Sequence, residues 1–508
     1  IYYEYHTEYF NESINYDEIE RFYSIYNPSE IIIIHNFEDE KNLKNMITYS
    51  SIKCDVKHSI NTNDSLHSFY NEVKNCNKQK YQIEIFEKFY NIIDSDFFYA
   101  NFAPYEYPTS SFCFLLNFVY KHQKNLVKNI KIPIFDNNKY TLRLENHSLK
   151  QLNIIKDNNN QTKLASVLSF LNNCKTTMGK RLFNYNLLHP TSHEEKLQLE
   201  YDTIEHVLNN RNYIEGDNLS LFKNICDIEK FYRKIILNVV TPSDIYTFYS
   251  SLNYIKKIYK SIKHDTTMIS YLCNHIQVEE LNICEYITKL ENEINNKLFI
   301  DTISSINTRS IDENIFKYGI YEEVDEAIAE FEKSKIKIDA IQKWFNSILS
   351  KFEKKNKNGV KLTIKETTYP YLETTNRRCK GIQSEFKHNR KVKIQYKYMN
   401  TELSFQLDLS NIKYEKSTKN NCKIVSPFLD KLYEKIFKGN EEIKKCVKSC
   451  FKLYTENLLN FSQQIETLSN FIKYTDVLFT KANLSVKYNY CKPEIIKHEK
   501  SFFKAEKL

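Results

Sequence analysis

Basic side chains that could bind phosphate are concentrated in one stretch of this 508-residue chain. Residues 351–420 carry 17 Lys and Arg against 7 Asp and Glu, a net +10, while the whole chain carries +8. Phosphate contacts need positive charge and reach but no base-edge code, so this stretch predicts binding to a nucleic-acid backbone. The alternative for its strand lysines is that they only prevent edge-to-edge pairing of sheets. The candidate contacts are Lys361, Lys365, Arg377, Arg378, Lys380, Lys387, Arg390, Lys391, Lys393 and Lys397.

Residues that could do other chemistry are scarce. Only Gly179 of six glycines precedes a lysine, and Cys174 lies five positions before it, so the sequence has no G-x-x-x-x-G-K-[ST] phosphate loop. His189 and His193 have a metal-ligand spacing, but Pro190 between them favours an ordinary loop. The 12 cysteines include no C-x-x-C pair, which favours reduced thiols over a zinc site. We therefore predict no catalytic residue, metal or cofactor in these residues.

The ends of the chain carry no targeting signal. It begins at Ile1 without a Met and stops at Leu508, and we expect both ends to be cut from a longer chain. No apolar run approaches the ~20 residues of a membrane span, and the start lacks the plan of a signal peptide. We expect an intracellular protein without a membrane partner, with a nuclear, organellar or viral context left open.

Apolar periodicity predicts a mixed, mainly α fold. Residues 1–125 are typical of a small α/β domain, because Asp17–Tyr26 forms one apolar helical face and Ile31–Ile34 is typical of a buried strand. From about Leu142 onward, long amphipathic segments with few breakers indicate an all-α part. These segments include Lys163–Leu171, Leu197–Leu208 and Asp244–Tyr259.

Two heptad-like seams predict long arms that carry a β tip. Apolar residues recur every three or four positions over Val324–Phe352, with one weak turn at Ser334 and Lys335, and without a break over Val447–Ile472. This is the period of a coiled-coil face. Helices of about 30 and 45 residues would form two paired arms, in preference to helices buried in a compact bundle. Ser426 and Pro427 are suited to start the returning helix. Three stretches between the seams alternate as strands do: Val360–Ile364, Val392–Tyr398 and Phe405–Leu409.

Five short motifs resemble those of the MutS family of mismatch-repair proteins and occur in the same order. Thr177–Leu182, followed by Leu187–Pro190, resembles the T-x-M-G-x-R…L-x-x-P run that opens the family core. The other matching segments are Asp227–Lys230 with Pro242, Tyr318-Gly319 with Glu323–Asp325, the clamp-like Tyr371–Arg378, and Asp476, Ala482, Tyr490 and Pro493. The clamp-like segment is similar to that of organellar and giant-virus members.

The resemblance implies an order of domains. They are a connector over 1–125, a helical core with an outgoing lever over 126–352, a basic β clamp over 353–425, returning lever helices over 426–490 and the start of an ATPase domain over 491–508. In this family the clamp holds duplex backbone, an N-terminal domain wedges a Phe into the mismatch, and an ABC-type ATPase with ATP and Mg drives switching. Phe10-Asn11-Glu12 lacks the family's Gly and is not assigned as the wedge. Ser501–Leu508 resembles the first ATPase strand, so this fragment would not hydrolyse ATP by itself.

The resemblance also implies structural roles for the core motif. Thr177, Gly179 and Arg181 would pack the core, with Gly179 permitting close helix approach and Arg181 pairing locally. Asp227 and Asp476 would anchor or cap helices and would not act as acids.

Two functions compete at this level. The first is a MutS-type protein that binds mismatched double-stranded DNA as a homodimer or heterodimer, recruits downstream repair factors and is a DNA-dependent ATPase at full length. The alternative is a coiled-coil scaffold whose basic tip binds an acidic protein or a membrane surface. Duplex binding that weakens steeply with salt would favour the first.

Overall fold

The structure is a computed structural model that describes most of the chain. Its described residues are 16–26, 28–50, 52–90, 98, 101–127, 130, 132–133, 142, 146–155, 166–213, 218–306, 311, 313–352, 359–365, 368–385, 391–399, 401–496 and 502–506. The chain divides into two compact units. The first comprises residues 1–240, 247–290 and 459–508, and the second comprises residues 241–246 and 291–458.

The first unit begins with an α/β part. Strands β1 (Glu30–His35) and β2 (Val56–Asn61) pair in parallel, as expected when a helix, here α2 (Glu40–Tyr49), connects them. The predicted helix at Asp17–Tyr26 is confirmed as α1, and the predicted strand is confirmed as β1. The isoleucines of β1 are half-buried, not fully buried. The helices that complete this part are α3 (Tyr70–Cys76), α4 (Gln79–Tyr90), α5 (Glu106–His122) and α6 (Lys124–Val127).

An α-helical bundle follows in the same unit. Its helices are α7 (Asn146–Gln151), α8 (Val167–Leu171), α9 (Thr177–Leu188), α10 (Glu194–Asn209), α11 (Asn218–Leu221), α12 (Ile228–Ile236), α13 (Pro242–Ile262), α14 (Thr266–Ile276) and α15 (Ile283–Lys297), and it ends with α20 (Ser462–Tyr488). Helices α13 and α15 have parts in the second unit. The amphipathic segments predicted at Leu197–Leu208 and Asp244–Tyr259 lie within α10 and α13. Of Lys163–Leu171, residues 163–165 lie outside the described residues.

Two long antiparallel helices dominate the second unit, after the short helix α16 (Ile300–Ser305). They are α17 (Glu322–Phe352) and α19 (Pro427–Asn457), each 31 residues or about 46 Å long. Two contacts show that the helices run antiparallel. Phe331 of α17 lies against Gly439 of α19. The ring of Phe316, which precedes α17, lies 6.1 Å from the ring of Tyr454 near the end of α19.

The second seam does not form the single continuous helix that its period predicted. A 3₁₀ turn at Leu458–Phe461 separates α19 from α20. Within the first unit, α20 packs against α9, α10, α12 and α14 and is buried around much of its circumference. It is therefore a bundle helix, and the expectation of one long arm here was wrong. A heptad pattern marks buried positions equally in a coiled coil and in a bundle, so the period could not distinguish them.

The described β structure of the second unit forms one sheet and one ribbon. The sheet has the order β3 (Lys361–Lys365), β4 (Thr368–Thr375), β8 (Asn421–Val425), β7 (Lys413–Lys416), and the ribbon pairs β5 (Lys391–Tyr398) with β6 (Thr401–Asp408). Helix α18 (Asn376–Glu385) follows β4. The three predicted strands are confirmed as β3, β5 and β6, whereas β4, β7, β8 and α18 were not predicted. No helix within the described ranges is long and apolar enough to cross a membrane.

Candidate nucleic-acid interface

Strand β5 separates its lysines from its apolar residues, as the alternation predicted. Ile394 and Tyr398 are buried, and the strand packs against α17. Lys391, Lys393 and Lys397 are exposed on the opposite face. The ribbon therefore presents a row of three ammonium groups to solvent.

The register of the ribbon offsets part of this charge. Lys391 stands opposite Asp408 and Lys397 opposite Glu402, whereas Lys393 stands opposite the neutral Gln406. Lys397 Nζ lies 3.2 Å from a Glu402 carboxylate oxygen. Two of the three lysines thus have a carboxylate as cross-strand neighbour, and the ribbon face is much less positive than the sequence of β5 by itself indicates.

The four-stranded sheet shows the same compensation on its outer face. One row across the four strands reads Lys361, Glu373, Lys423, Glu415, alternating in sign. The other face is apolar and packs on α19, where the Tyr433 hydroxyl accepts a hydrogen bond from the Leu372 amide at 3.0 Å. Lys361, a predicted phosphate contact, therefore lies beside a glutamate.

The start of β3 is fixed to α17 by side-chain amides. Asn346 Oδ1 accepts a hydrogen bond from the Val360 amide at 2.8 Å, and Gln342 Nε2 donates to the Val360 carbonyl at 3.0 Å. These two bonds, one turn apart on α17, hold the sheet at the end of the helix pair.

Helix α18 carries the predicted cations with the least compensation. Arg377 and Lys380 are exposed and lie three residues apart on one helical face, and no ion pair of the described residues involves either. Arg378 instead lies half-buried against Gly359, and its guanidinium donates to the Gly359 carbonyl at 3.5 Å. The buried face of the helix contains Cys379 and Ile382.

Three predicted contacts cannot be placed in this surface. Lys387 and Arg390 lie outside the described residues, and Lys365 lies in β3 but its side chain is not among those described. The ten candidates therefore divide into Arg377, Lys380 and Lys393, which are exposed without a carboxylate opposite, and others that are offset, anchored or undescribed.

The core motif is built around a buried carboxylate. Thr176 caps α9, and its hydroxyl oxygen accepts a hydrogen bond from the Gly179 amide at 2.9 Å. Asp476 of α20 is 0% exposed and accepts from the Thr176 amide and hydroxyl, both at 2.7 Å, and from the Lys175 amide at 3.0 Å. Burial raises the pKa of Asp476, against the lowering effect of these hydrogen bonds. The carboxylate ties α20 to the start of α9.

Gly179 lies directly against this carboxylate. A Cβ at this position would lie 2.4 Å from Asp476 Oδ2 and 2.9 Å from Thr176 Oγ1. Any side chain would displace Oδ2, which the Thr176 amide and hydroxyl hold, so this close approach requires glycine.

Arg181 joins α9 to the start of α12. Its two Nη atoms donate to both oxygens of Asp227 at 2.8 Å, and Nη2 also donates to Glu229 at 2.7 Å. Asp227 caps α12 by accepting from the Lys230 amide at 3.0 Å. Burial would raise the pKa of Asp227, but the hydrogen bonds from Arg181 and Lys230 hold it below its ordinary value. Thr177 adds a further hydrogen bond to Asp227.

The remaining candidates have local partners. His189 stacks on Tyr185 at 4.2 Å, and His193 accepts from the Lys196 amide at the start of α10. Across the part of the chain that the structure describes, no group of three or more His, Cys, Asp or Glu is placed to hold a metal ion. All twelve cysteines are free thiols.

Comparison with known proteins identifies the family. A family model described as MutS domain III matches residues 147–482, well over half of the chain. The chain belongs to the MutS family. The match spans α7 to α20 and includes the core motif and the lysine-bearing sheet and ribbon.

Individual MutS relatives are distant but align over long stretches. A DNA mismatch repair protein mutS homolog of Acanthamoeba polyphaga mimivirus is 24% identical over 98% of this chain and 45% of its own length. DNA mismatch repair protein MutS of Caldanaerobacter subterraneus is 26% identical over 94% of this chain and 47% of its own. A mitochondrial mutS homolog of Sarcophyton glaucum is 24% identical over 75% of this chain and 35% of its own. The chain thus spans about half the length of the first two relatives.

Sequence reasoning missed several residues of these sites. Thr176, Glu229 and Lys473 complete the contacts of the core motif, Lys473 by donating to Glu229 at 3.3 Å. The signal for Thr176 was present, since a threonine three positions before Gly179 is a typical helix cap. Lys473 lies 244 positions from its partner, so only the fold could pair them.

Proposed function

We propose that this chain is the part of a MutS-type DNA mismatch repair protein that grips the backbone of duplex DNA. The supporting observation is a net +10 segment, residues 351–420, that folds into small β structures beside two 31-residue helices in a chain of the MutS family. Phosphate contacts from such a surface give affinity without reading bases. Residues 353–425 serve as the clamp, with α17 and α19 as levers.

The longer protein supplies the remaining parts in this proposal. Residues 1–125 act as the connector, residues 126–352 as core and outgoing lever, and α19 (Pro427–Asn457) as the returning lever, with α20 (Ser462–Tyr488) in the core. ATP and Mg bind to an ATPase domain outside residues 1–490, because these residues contain no phosphate loop. The assembled protein works inside the cell as a homodimer or heterodimer on mismatched duplex and recruits downstream repair factors.

The exposed cations of α18 give the sharpest test. R377Q/K380Q should lower the affinity for a duplex at least about tenfold at low salt. It should also reduce the slope of the logarithm of the binding constant against the logarithm of the salt concentration, by about 0.9 for each phosphate that is no longer neutralised. The matched control K391Q/K397Q removes the same charge from lysines that already face Asp408 and Glu402, and should weaken binding much less. Fluorescence anisotropy with a labelled duplex measures both.

Two results would contradict the proposal. Equal losses in the two variants would show that only total charge matters. Absence of duplex binding by the wild-type chain at low salt, together with binding to acidic peptides or anionic vesicles, would favour the scaffold alternative.

A further inference from the structure

A groove between α17 and α19 carries lysines on both walls. It encloses about 430 Å³ within the second unit. Lys333 and Lys337 line it from α17, and Lys431 and Lys435 line it from α19. Side chains four residues apart on a helix lie about 5–6 Å from each other, so each wall presents two ammonium groups that are one helical turn apart.

The acidic residues of the groove compensate only part of this charge. Glu330 forms an ion pair with Lys435 across the groove, and Glu326 lies about two turns from Lys333 toward the start of α17. No carboxylate ion pair among the described residues involves Lys333, Lys337 or Lys431. The end of the groove nearest the start of α19 is therefore cationic.

Two of these lysines are partly withdrawn from water. Lys333 and Lys337 are half-buried, with their ammonium groups 5.1 Å from the ring of Tyr398 and 5.9 Å from the ring of Tyr396. An aromatic face stabilises a cation but does not neutralise it. A bound anion would give these ammonium groups the counter-charge that no ion pair of the described residues supplies.

Phe428 contributes to the apolar part of the groove, together with Ala329 and Leu432. Its ring stacks on Phe405 of β6 at 5.4 Å, so the ribbon supports this side of the groove.

We infer that this lysine groove binds the phosphate groups of a polyphosphate or phosphodiester ligand. Lysine is a common point-charge binder of phosphate, and the ammonium groups of Lys333, Lys337 and Lys431, on two facing walls, can contact neighbouring phosphates of one chain. The groove is separate from the exposed cations of α18, and the inference does not depend on the proposed clamp function.

Inorganic tripolyphosphate is the probe that tests the groove. Calorimetric titration of the 508-residue chain at low salt should show saturable binding that K333Q/K337Q/K431Q weakens at least about tenfold, because the variant removes three charged hydrogen-bond donors. K343Q/K445Q/K448Q removes the same charge from exposed positions of the same helices outside the groove. This control should keep the wild-type affinity within about twofold, and K333R/K337R/K431R should retain binding because it keeps the charge.

The outcomes separate the source of the phosphate. A duplex that displaces tripolyphosphate from the wild-type chain assigns the groove to nucleic-acid backbone, and failure to displace it assigns the groove to free polyphosphates. No saturable binding by the wild-type chain, or equal losses in the two glutamine triples, overturns the inference. R377Q/K380Q should bind tripolyphosphate normally, so failure of the clamp proposal remains distinguishable.

Discussion

Gly179 and Asp476 show how one contact constrains two distant segments of the chain. The Asp476 carboxylate accepts hydrogen bonds from the Lys175 and Thr176 amides, which lie about 300 positions earlier in the chain. Gly179 leaves room for the carboxylate because it has no side chain. Removing the carboxylate would leave three buried donors without their acceptor.

Gly179→Ala should destabilise the protein by about 1–3 kcal/mol, because the new Cβ would overlap a fixed oxygen. Gly381→Ala is the matched control. A Cβ at Gly381 would meet nothing within 4 Å, so this change should be neutral or stabilise by about 0.4–1 kcal/mol. Urea unfolding of both variants measures the difference, and equal stability would contradict the close approach.

His275 should make stability fall in mild acid. Its ring stacks on Tyr474 at 4.9 Å, and burial lowers its pKa below 6.5 more than the nearby Glu200 raises it. The unfolded chain therefore binds a proton at a higher pH than the folded chain does. The free energy of unfolding should decrease as pH falls from about 6.5 through the lower folded pKa.

His275→Gln should remove this part of the pH dependence, since glutamine does not titrate in this range. Urea unfolding at pH 7.5 and pH 5.5 should show a smaller acid loss for the variant than for the wild-type chain. His264→Gln, at an exposed position, should leave the acid loss unchanged. An identical loss in all three proteins would exclude His275 as the cause.

Among the helices, the stability of α19 depends on Ser426, the residue that caps its start. Ser426 is buried, and its hydroxyl oxygen accepts from the Leu429 amide at 3.2 Å, with Pro427 following at the first helical position. This cap lets α19 begin directly after strand β8, and α19 then runs antiparallel to α17.

Ser426→Ala should cost about 1 kcal/mol of stability because the buried Leu429 amide loses its acceptor. Ser449→Ala, at an exposed position inside the same helix, should be neutral or slightly stabilising since alanine favours helix interiors. Thermal unfolding followed by circular dichroism compares them. Equal changes in melting temperature for the two variants would show that the Ser426 cap does not stabilise the protein.

The β elements also explain why counting charges overstated the basic surface. A carboxylate directly opposite a lysine on the neighbouring strand offsets part of that lysine's charge. Asp408, Glu402 and Glu373 stand opposite lysines in the ribbon and the sheet, so the described, exposed candidate cations that face no carboxylate are Arg377 and Lys380 of α18 and Lys393 of β5. The sequence could not reveal this, because the register pairs residues that are 5 to 17 positions apart in ways that alternation does not specify.

At the scale of the whole molecule, backbone contacts predict binding without mismatch discrimination. The 508-residue chain should bind a perfectly paired duplex and one with a single mismatch with affinities that differ by less than about twofold, since phosphate contacts carry no base information. Competition anisotropy with two duplexes of equal length tests this. A strong preference for the mismatched duplex would show that residues of this chain read the lesion.

The amino-acid sequence was sufficient to predict the family, the mainly helical fold and the lysine-bearing strands. These depend on local periodicity and on motifs that are continuous in the chain, such as Thr177–Leu182. The tertiary structure was needed to show that the second seam is divided between α19, which pairs with α17, and the bundle helix α20. It also decided which cations remain free and that two helices form a lysine groove. Each of these depends on contacts between residues far apart in the chain, and a one-dimensional pattern does not contain them.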